Sequence, residues 1–100
     1  MGLLIRLEDQ DGYEVAFMEE TELLKPLIPS MDDEAYELLS YVDPYGDTIF
    51  NWVQAPALIK DLERAKIRAS SEATVALVDR VIALAERALN DQLYLKFSGD

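Results

Sequence analysis

The stretch "ASSEATVALVDRVIALAERALNDQLYLKF" (residues 69–97) decides the fold, because it joins a long helix to a strand. In residues 69–90, Asp79–Arg80 and Glu86–Arg87 lie two helical turns apart on one narrow stripe. Most of the remaining circumference is apolar, and a serine before Glu72 suits the N-cap. Residues 93–97 then alternate apolar and polar, as a half-buried strand does. A strand after a helix can return to a sheet.

The chain begins with a predicted hairpin. The segments "LLIRLE" (3–8) and "YEVAFM" (13–18) both alternate with a period of two. The side chains that share one face of each strand are Leu3, Ile5, Leu7 and Tyr13, Val15, Phe17. Between them "DQDG" (9–12) has Asp and Gly at the first and fourth positions of a type I turn. This pattern predicts two antiparallel strands.

The middle of the chain is less regular. Pro26 and Pro29 prevent a long helix, so a short helical turn over Thr21–Lys25, with Thr21 as its N-cap, is predicted there. The segments "YELLSYV" (36–42) and "TIFNWV" (48–53) are rich in aromatic and branched residues, which favours strands.

The turn "DPYG" (43–46) joins these two predicted strands as a hairpin tip. Gly46 could take the left-handed conformation that closes such a turn. Tyr45 and Asp47 are predicted to be exposed, whereas Phe50 and Trp52, two residues apart, are predicted to face the core.

Residues 54–67 form a second predicted helix, with Pro56 in its first turn. The whole chain, 1–100, is predicted to be a single α+β domain. A mostly antiparallel sheet of four to five strands would carry two helices on one face. The predicted order is β-β-(irregular)-β-β-α-α-β.

The charge is unevenly distributed. The net charge is −11, and residues 1–54 hold thirteen acids against two bases, whereas residues 55–100 hold seven of each. Such a field attracts a basic partner and repels nucleic acid and anionic membranes. An acidic surface that serves only to keep the protein dissolved is the open alternative.

Several kinds of chemistry are excluded by composition. There is no cysteine, so disulfides and thiolate sites are excluded and a reducing cytoplasm is expected. There is no histidine, which removes the usual general base and most zinc sites. A calcium loop starting at Asp9 fails at Tyr13 and Glu14. No cofactor, metal, nucleic acid or membrane is expected as a partner.

The segment "YVDPYGDTIFN", a "QxPxL" helix start and the terminal "LYLKFSGD" resemble a group of short acidic bacterial proteins. The likeness covers about residues 36–62 and 86–100. The resemblance implies a bacterial origin, a shared compact fold and a place in mobile gene arrays. Since no activity is assigned to that group, it implies no catalytic residues.

The candidate binding residues are acids and one exposed aromatic: Tyr45, Asp47, Asp43, Asp32, Asp33 and Glu34. They indicate a non-enzymatic binding protein whose acidic half meets a basic protein, as an immunity protein meets a cationic toxin. The alternative is a small-molecule binder or carboxylate-only enzyme with a pocket between sheet and helices.

Self-association is predicted from the helix over 69–90, because a helix that is apolar on most sides is packed on most sides. The candidate interface residues are Val75, Val78, Ile82 and Leu89. A homo-oligomer is therefore expected.

Overall fold

The fold is α+β, with a four-stranded antiparallel sheet and two main helices. The computed structural model describes residues 3–18 and 22–99; the predicted cap Thr21 lies outside them. The elements are β1 (Leu4–Glu8), β2 (Glu14–Met18), a 3₁₀ helix (Glu22–Leu27), a 3₁₀ turn (Leu39–Tyr41), β3 (Asp47–Phe50), α1 (Ala55–Lys66), α2 (Glu72–Asp91) and β4 (Tyr94–Ser98). The predicted class and order are confirmed, with four strands rather than five.

β4 takes a central place in the sheet, whose strand order is β2-β1-β4-β3. Phe97 of β4 pairs with Ile5 of β1 on one side and with Thr48 of β3 on the other. All neighbouring strands are antiparallel. The predicted return of the chain to the sheet after α2 is therefore confirmed.

The core lies between the helices and the inner face of the sheet. The buried side chains of that face include Leu3, Ile5, Leu7, Phe50, Leu95 and Phe97. The rings of Phe50 and Phe97 meet edge to face at 5.8 Å between centroids. Alternation along β1 and β4 thus buries every second residue, as the sequence predicts.

β2 turns its aromatic side chain, Phe17, away from the core. Ile5 pairs with Met18 and Leu7 with Ala16, so Met18 and Ala16 lie on the inner side. Phe17 pairs with Arg6 on the outer face and is 53% exposed. The predicted alternation is correct, and it places Ala16 and Met18 inward while Phe17 faces solvent.

The helices begin and end as their sequences indicate. Pro56 lies in the first turn of α1. The Ser71 hydroxyl caps α2 by accepting a 3.2 Å hydrogen bond from the Thr74 amide. Gln92 ends α2 in the left-handed conformation with φ of 55°, which directs Leu93 back toward the sheet. Neither helix in the described part of the chain is long and apolar enough to span a membrane.

α2 places its large apolar side chains in the core of its own chain. Val78 and Ile82 are buried there, Val75 is half-buried and Leu89 is 39% exposed. Two of the four predicted interface residues are therefore unavailable to a second copy, which corrects the prediction for Val78 and Ile82. The solvent side of α2 carries polar residues and the alanines Ala73, Ala76 and Ala83.

Residues 36–42 are not the strand that their composition predicts. They form bends and the 3₁₀ turn Leu39–Tyr41. The backbone N–H groups of Glu37, Leu38 and Leu39 donate to the carboxylate of Asp61 on α1, instead of to a neighbouring strand. A side chain thus satisfies the backbone donors that a sheet ladder would use.

The "DPYG" turn exists, but it does not join two strands. The Gly46 amide donates to the Asp43 carbonyl at 3.4 Å, and Asp43 Oδ1 accepts from the Tyr45 amide at 2.8 Å. Gly46 lacks the positive φ that was predicted, whereas Gly12 of the "DQDG" turn has a φ of 84°. Instead, the Gly46 carbonyl accepts a 2.8 Å hydrogen bond from the Gly99 amide.

Trp52 is only half-buried and is not a core residue. It follows the end of β3 at Phe50, so the strand alternation no longer fixes its direction. Its ring meets Tyr94 edge to face at 5.5 Å, away from the buried Phe50. The prediction was correct for Phe50 and wrong for Trp52.

Candidate functional site

The candidate site is formed by the segment between the first 3₁₀ helix and β3. Residues 25–47 contain six acids and one base, a net charge of −5. Seven of the exposed residues in this segment form what we call the acidic loop surface: Met31, Asp32, Asp33, Glu34, Tyr41, Asp43 and Tyr45. It combines carboxylates with exposed aromatic and apolar side chains, which are frequent in protein interfaces.

Asp61 holds the loop beneath this surface. Only 4% of Asp61 is exposed, and its Oδ2 accepts from the amides of Glu37, Leu38 and Leu39 at 3.1, 2.7 and 2.9 Å. A carboxylate that collects several backbone donors forms strong, charge-assisted hydrogen bonds. The segment therefore has a fixed path across α1, although it has no sheet partner.

Apolar anchors and Arg68 hold the same segment to the core. Tyr36, Leu39 and Val42 are buried among core side chains. The Arg68 guanidinium lies 5.5 Å from the centre of the Tyr36 ring and donates to the Leu27 carbonyl. These contacts tie both ends of the acidic loop surface to the helices.

Local hydrogen bonds fix the acidic side chains themselves. The Ser30 hydroxyl donates to Asp32 Oδ1, and the Ala35 amide donates to Asp33 Oδ1 at 3.0 Å. The bond from Ser30, together with a backbone N–H, lowers the pKa of the Asp32 carboxyl. Both hydrogen bonds favour the ionised form of this carboxyl.

Two neighbouring clefts open on the acidic loop surface. The larger has a volume of about 600 Å³ and includes Asp43 in its lining. The smaller has a volume of about 310 Å³ and is lined in part by Asp32, Asp33 and Glu34. The two clefts share Met31, Ser40 and Tyr41. The structure thus places Asp43 and the acids of residues 32–34 on adjoining clefts.

The other predicted residues lie beside the clefts or away from them. Tyr45 is 79% exposed, and the Lys25 ammonium lies 5.9 Å from its ring centre. Asp47 is on β3, where its carboxylate is 3.7 Å from the Lys96 ammonium. Neither Tyr45 nor Asp47 lines either cleft, in contrast to Asp43 and the acids of residues 32–34.

The sequence did not reveal Ser40, Lys25 or Asp61 as parts of this region. Asp61 had a detectable signal, because it lies within the apolar stripe of α1 next to Leu58 and Leu62. A charged residue on a buried helix face needs a partner. Ser40 and Lys25 carried no comparable signal, since their positions depend on the path of the loop.

The alternative hypothesis places a pocket between the sheet and the helices. That space is filled by the hydrophobic core, including Leu58, Leu62 and Val81. The clefts described above lie on the loop side instead. Within residues 3–18 and 22–99, no group of three or more acidic side chains is arranged to hold a metal ion.

No protein-family model, curated protein or solved structure matches this chain, so its function must be argued from its own residues.

Proposed function

We propose that this protein binds a basic protein partner through the acidic loop surface. The observation that carries the proposal is the pair of adjoining clefts, which are bordered by Asp43 on one side and by residues 32–34 on the other. Exposed Met31, Tyr41 and Tyr45 beside them supply apolar and aromatic contact area.

The fixed path of the loop supports binding over a purely solubilising role. Asp61 and the buried Leu39 and Val42 hold the backbone before a partner arrives. A surface that is already ordered loses less conformational entropy on binding. Acids that serve only to keep a protein dissolved do not need a backbone that is held in one conformation.

Neutralisation of a cationic toxin in the bacterial cytoplasm is one concrete form of this activity. The absence of cysteine fits a reducing compartment. Self-association belongs to the same proposal, and light scattering at micromolar concentration measures it. A monomer under those conditions would contradict self-association without affecting the binding proposal.

The direct test measures binding of a fluorescent arginine- and lysine-rich peptide by anisotropy. The triple variant Asp32→Asn, Asp33→Asn, Glu34→Gln is expected to weaken binding by about tenfold or more, since several charge pairs are lost. Binding by the parent protein is expected to weaken steeply between low and physiological salt.

The matched control removes the same number of acids elsewhere. Asp11→Asn, Glu22→Gln, Glu86→Gln changes exposed residues outside the acidic loop surface. We expect this variant to bind within about twofold of the parent, because screening limits the effect of distant surface charge. Equal losses in both triple variants would show that net charge alone attracts the peptide and would contradict the proposed surface.

A further inference from the structure

Ser40 is a buried polar residue that lines both clefts. Only 4% of it is exposed. A hydroxyl has one donor and two acceptor sites. Because Ser40 lines both clefts, it can offer a hydrogen-bonding group to whatever enters them.

The walls around Ser40 suit the aliphatic part of a long side chain. Ile28, Pro29, Met31 and Val42 supply apolar surface to the larger cleft. Its volume of about 600 Å³ exceeds that of a single amino-acid side chain. Long charged side chains commonly lay their methylene groups along apolar surface while the charged end reaches polar groups.

The charges around the clefts select a cation. Asp43 lines the larger cleft, and three further acids line the smaller one. Lys25 is the one base among the residues that line these two clefts, and its ammonium lies against the Tyr45 ring. Arg68 is nearby but is engaged with Tyr36 and the Leu27 carbonyl. The four acids that line the clefts therefore outnumber the one base that lines them, Lys25.

A guanidinium matches this combination better than an ammonium does. Its planar array of five donors can bond a hydroxyl and a carboxylate together, and it stacks well on an aromatic ring such as Tyr41. It is also less strongly hydrated, so it enters a half-enclosed cleft more readily. The neutral, acceptor-capable Ser40 at the junction of the clefts complements such a donor.

We infer that the cleft around Ser40 receives an arginine side chain of the basic partner. This inference rests on the proposed function, because it names the group that the acidic loop surface recognises. The stem lies along Ile28 and Val42, and the guanidinium donates to Ser40 Oγ and to the carboxylates that flank it.

The test titrates the full-length ¹⁵N-labelled protein with N-acetyl-arginine amide at constant ionic strength and follows amide chemical shifts. Saturable shifts are expected at Ser40, Tyr41 and Val42. The citrulline analogue has nearly the same shape without the charge, and we expect about tenfold weaker binding. The lysine analogue is expected to be weaker than arginine.

Two variants locate the contact. Ser40→Ala removes the hydroxyl and is expected to weaken arginine-amide binding about five- to tenfold. Ser70→Ala, at an exposed position between the helices, is the matched control and should bind like the parent. Asp43→Asn removes the charge, while the amide oxygen of the new side chain can still accept a hydrogen bond from the Tyr45 amide. This second variant tests the arginine cleft even if Ser40→Ala disturbs folding.

The outcomes separate this inference from the proposed function. Equal binding of citrulline, an unchanged affinity in both Ser40→Ala and Asp43→Asn, or shifts restricted to residues 32–34 would overturn the arginine cleft. If the basic peptide still binds and responds to the triple acid variant, the proposed function stands without the cleft. If arginine amide binds at Ser40 while the peptide fails to bind, the proposed function fails and the cleft stands.

Discussion

The Leu39 amide donates a 2.9 Å hydrogen bond to the buried carboxylate of Asp61, although the two residues are 22 positions apart in the chain. The same oxygen also accepts from the amides of Glu37 and Leu38. The Asp61 side chain thus provides the hydrogen-bond acceptor that a neighbouring strand would otherwise provide to the backbone of residues 37–39. These hydrogen bonds hold in place the backbone beneath the acidic loop surface.

Replacing Asp61 should therefore destabilise the fold. Asp61→Ala leaves three backbone donors without their acceptor, which should lower the free energy of unfolding by about 2–4 kcal/mol. Asp61→Asn keeps one acceptor oxygen but brings an NH₂ group toward other donors, so its effect should be intermediate. Urea unfolding measures both, and hydrogen exchange at Leu38 and Leu39 should accelerate.

Glu63→Gln is the matched control for Asp61, because Glu63 is an acid on the same helix whose ion pair, with Lys66, lies at the surface. Its effect on the free energy of unfolding should stay within about 0.5 kcal/mol. Equal effects of Asp61→Asn and Glu63→Gln would show that the buried carboxylate does not hold the loop.

Periodicity predicted most of the fold because most elements bury one regular face. Ile5 and Leu7 on β1 and Leu95 and Phe97 on β4 follow the simple alternation. Prediction failed where one tertiary contact overrode local preference. The segment 36–42 has the composition of a strand. Its backbone N–H groups nevertheless donate to the Asp61 carboxylate instead of to a neighbouring strand. A local sequence pattern does not predict a hydrogen bond between residues so far apart in the chain.

Gly99 should be intolerant of a side chain. A Cβ atom at this position would lie 2.2 Å from the Pro44 carbonyl oxygen, and the Gly99 amide bonds to Gly46. Gly99→Ala should therefore lower the free energy of unfolding by about 1–3 kcal/mol or detach the end of the chain from the "DPYG" turn. Exchange of the amide proton of residue 99 distinguishes these effects.

Ser98→Ala provides the comparison for Gly99, since Ser98 lies on β4 one residue earlier and is only half-buried. It should change stability by less than about 0.5 kcal/mol. A Gly99→Ala variant with parental stability and parental exchange at residue 99 would mean that the close approach to Pro44 is not required.

The candidate site was predictable in composition but not in arrangement. The sequence identified Asp43 and the acids at 32–34 as separate features, and the structure places them on adjoining clefts. Asp47 is also an acid, but its position on β3 places its carboxylate next to the Lys96 ammonium. The difference arises from strand direction and pairing register, which a linear charge pattern does not contain.

An ion pair between the two helices gives a pH-dependent prediction. Lys66 Nζ lies 2.9 Å from Asp79 Oδ1 and 3.3 Å from Glu63 Oε2. Hydrogen bonds to Asp79 and Glu63 raise the pKa of Lys66 above its ordinary value of 10.5. Its contribution to stability is therefore complete below that value and is lost as the pH rises through the folded-state pKa.

Asp79→Asn should accordingly lower the melting temperature by about 1–4 °C near neutral pH, as expected for an exposed ion pair. The difference from the parent should shrink as the pH rises above 10.5, where Lys66 begins to lose its proton. Asp91→Asn is the control, because its partner Arg87 stays charged throughout. An Asp79→Asn effect that is constant over this range would contradict the assignment.

Repulsion within the acidic half should make the protein more stable at higher salt. Residues 1–54 carry a net charge of −11, and raising salt from about 20 to about 200 mM shortens the Debye length from about 20 to about 7 Å. The melting temperature should therefore rise. The variant Asp32→Asn, Asp33→Asn, Glu34→Gln should show a weaker salt dependence, because it removes three of the repelling charges. A melting temperature that falls with added salt would mean that favourable ion pairs, such as Lys96 with Asp47, outweigh the repulsion.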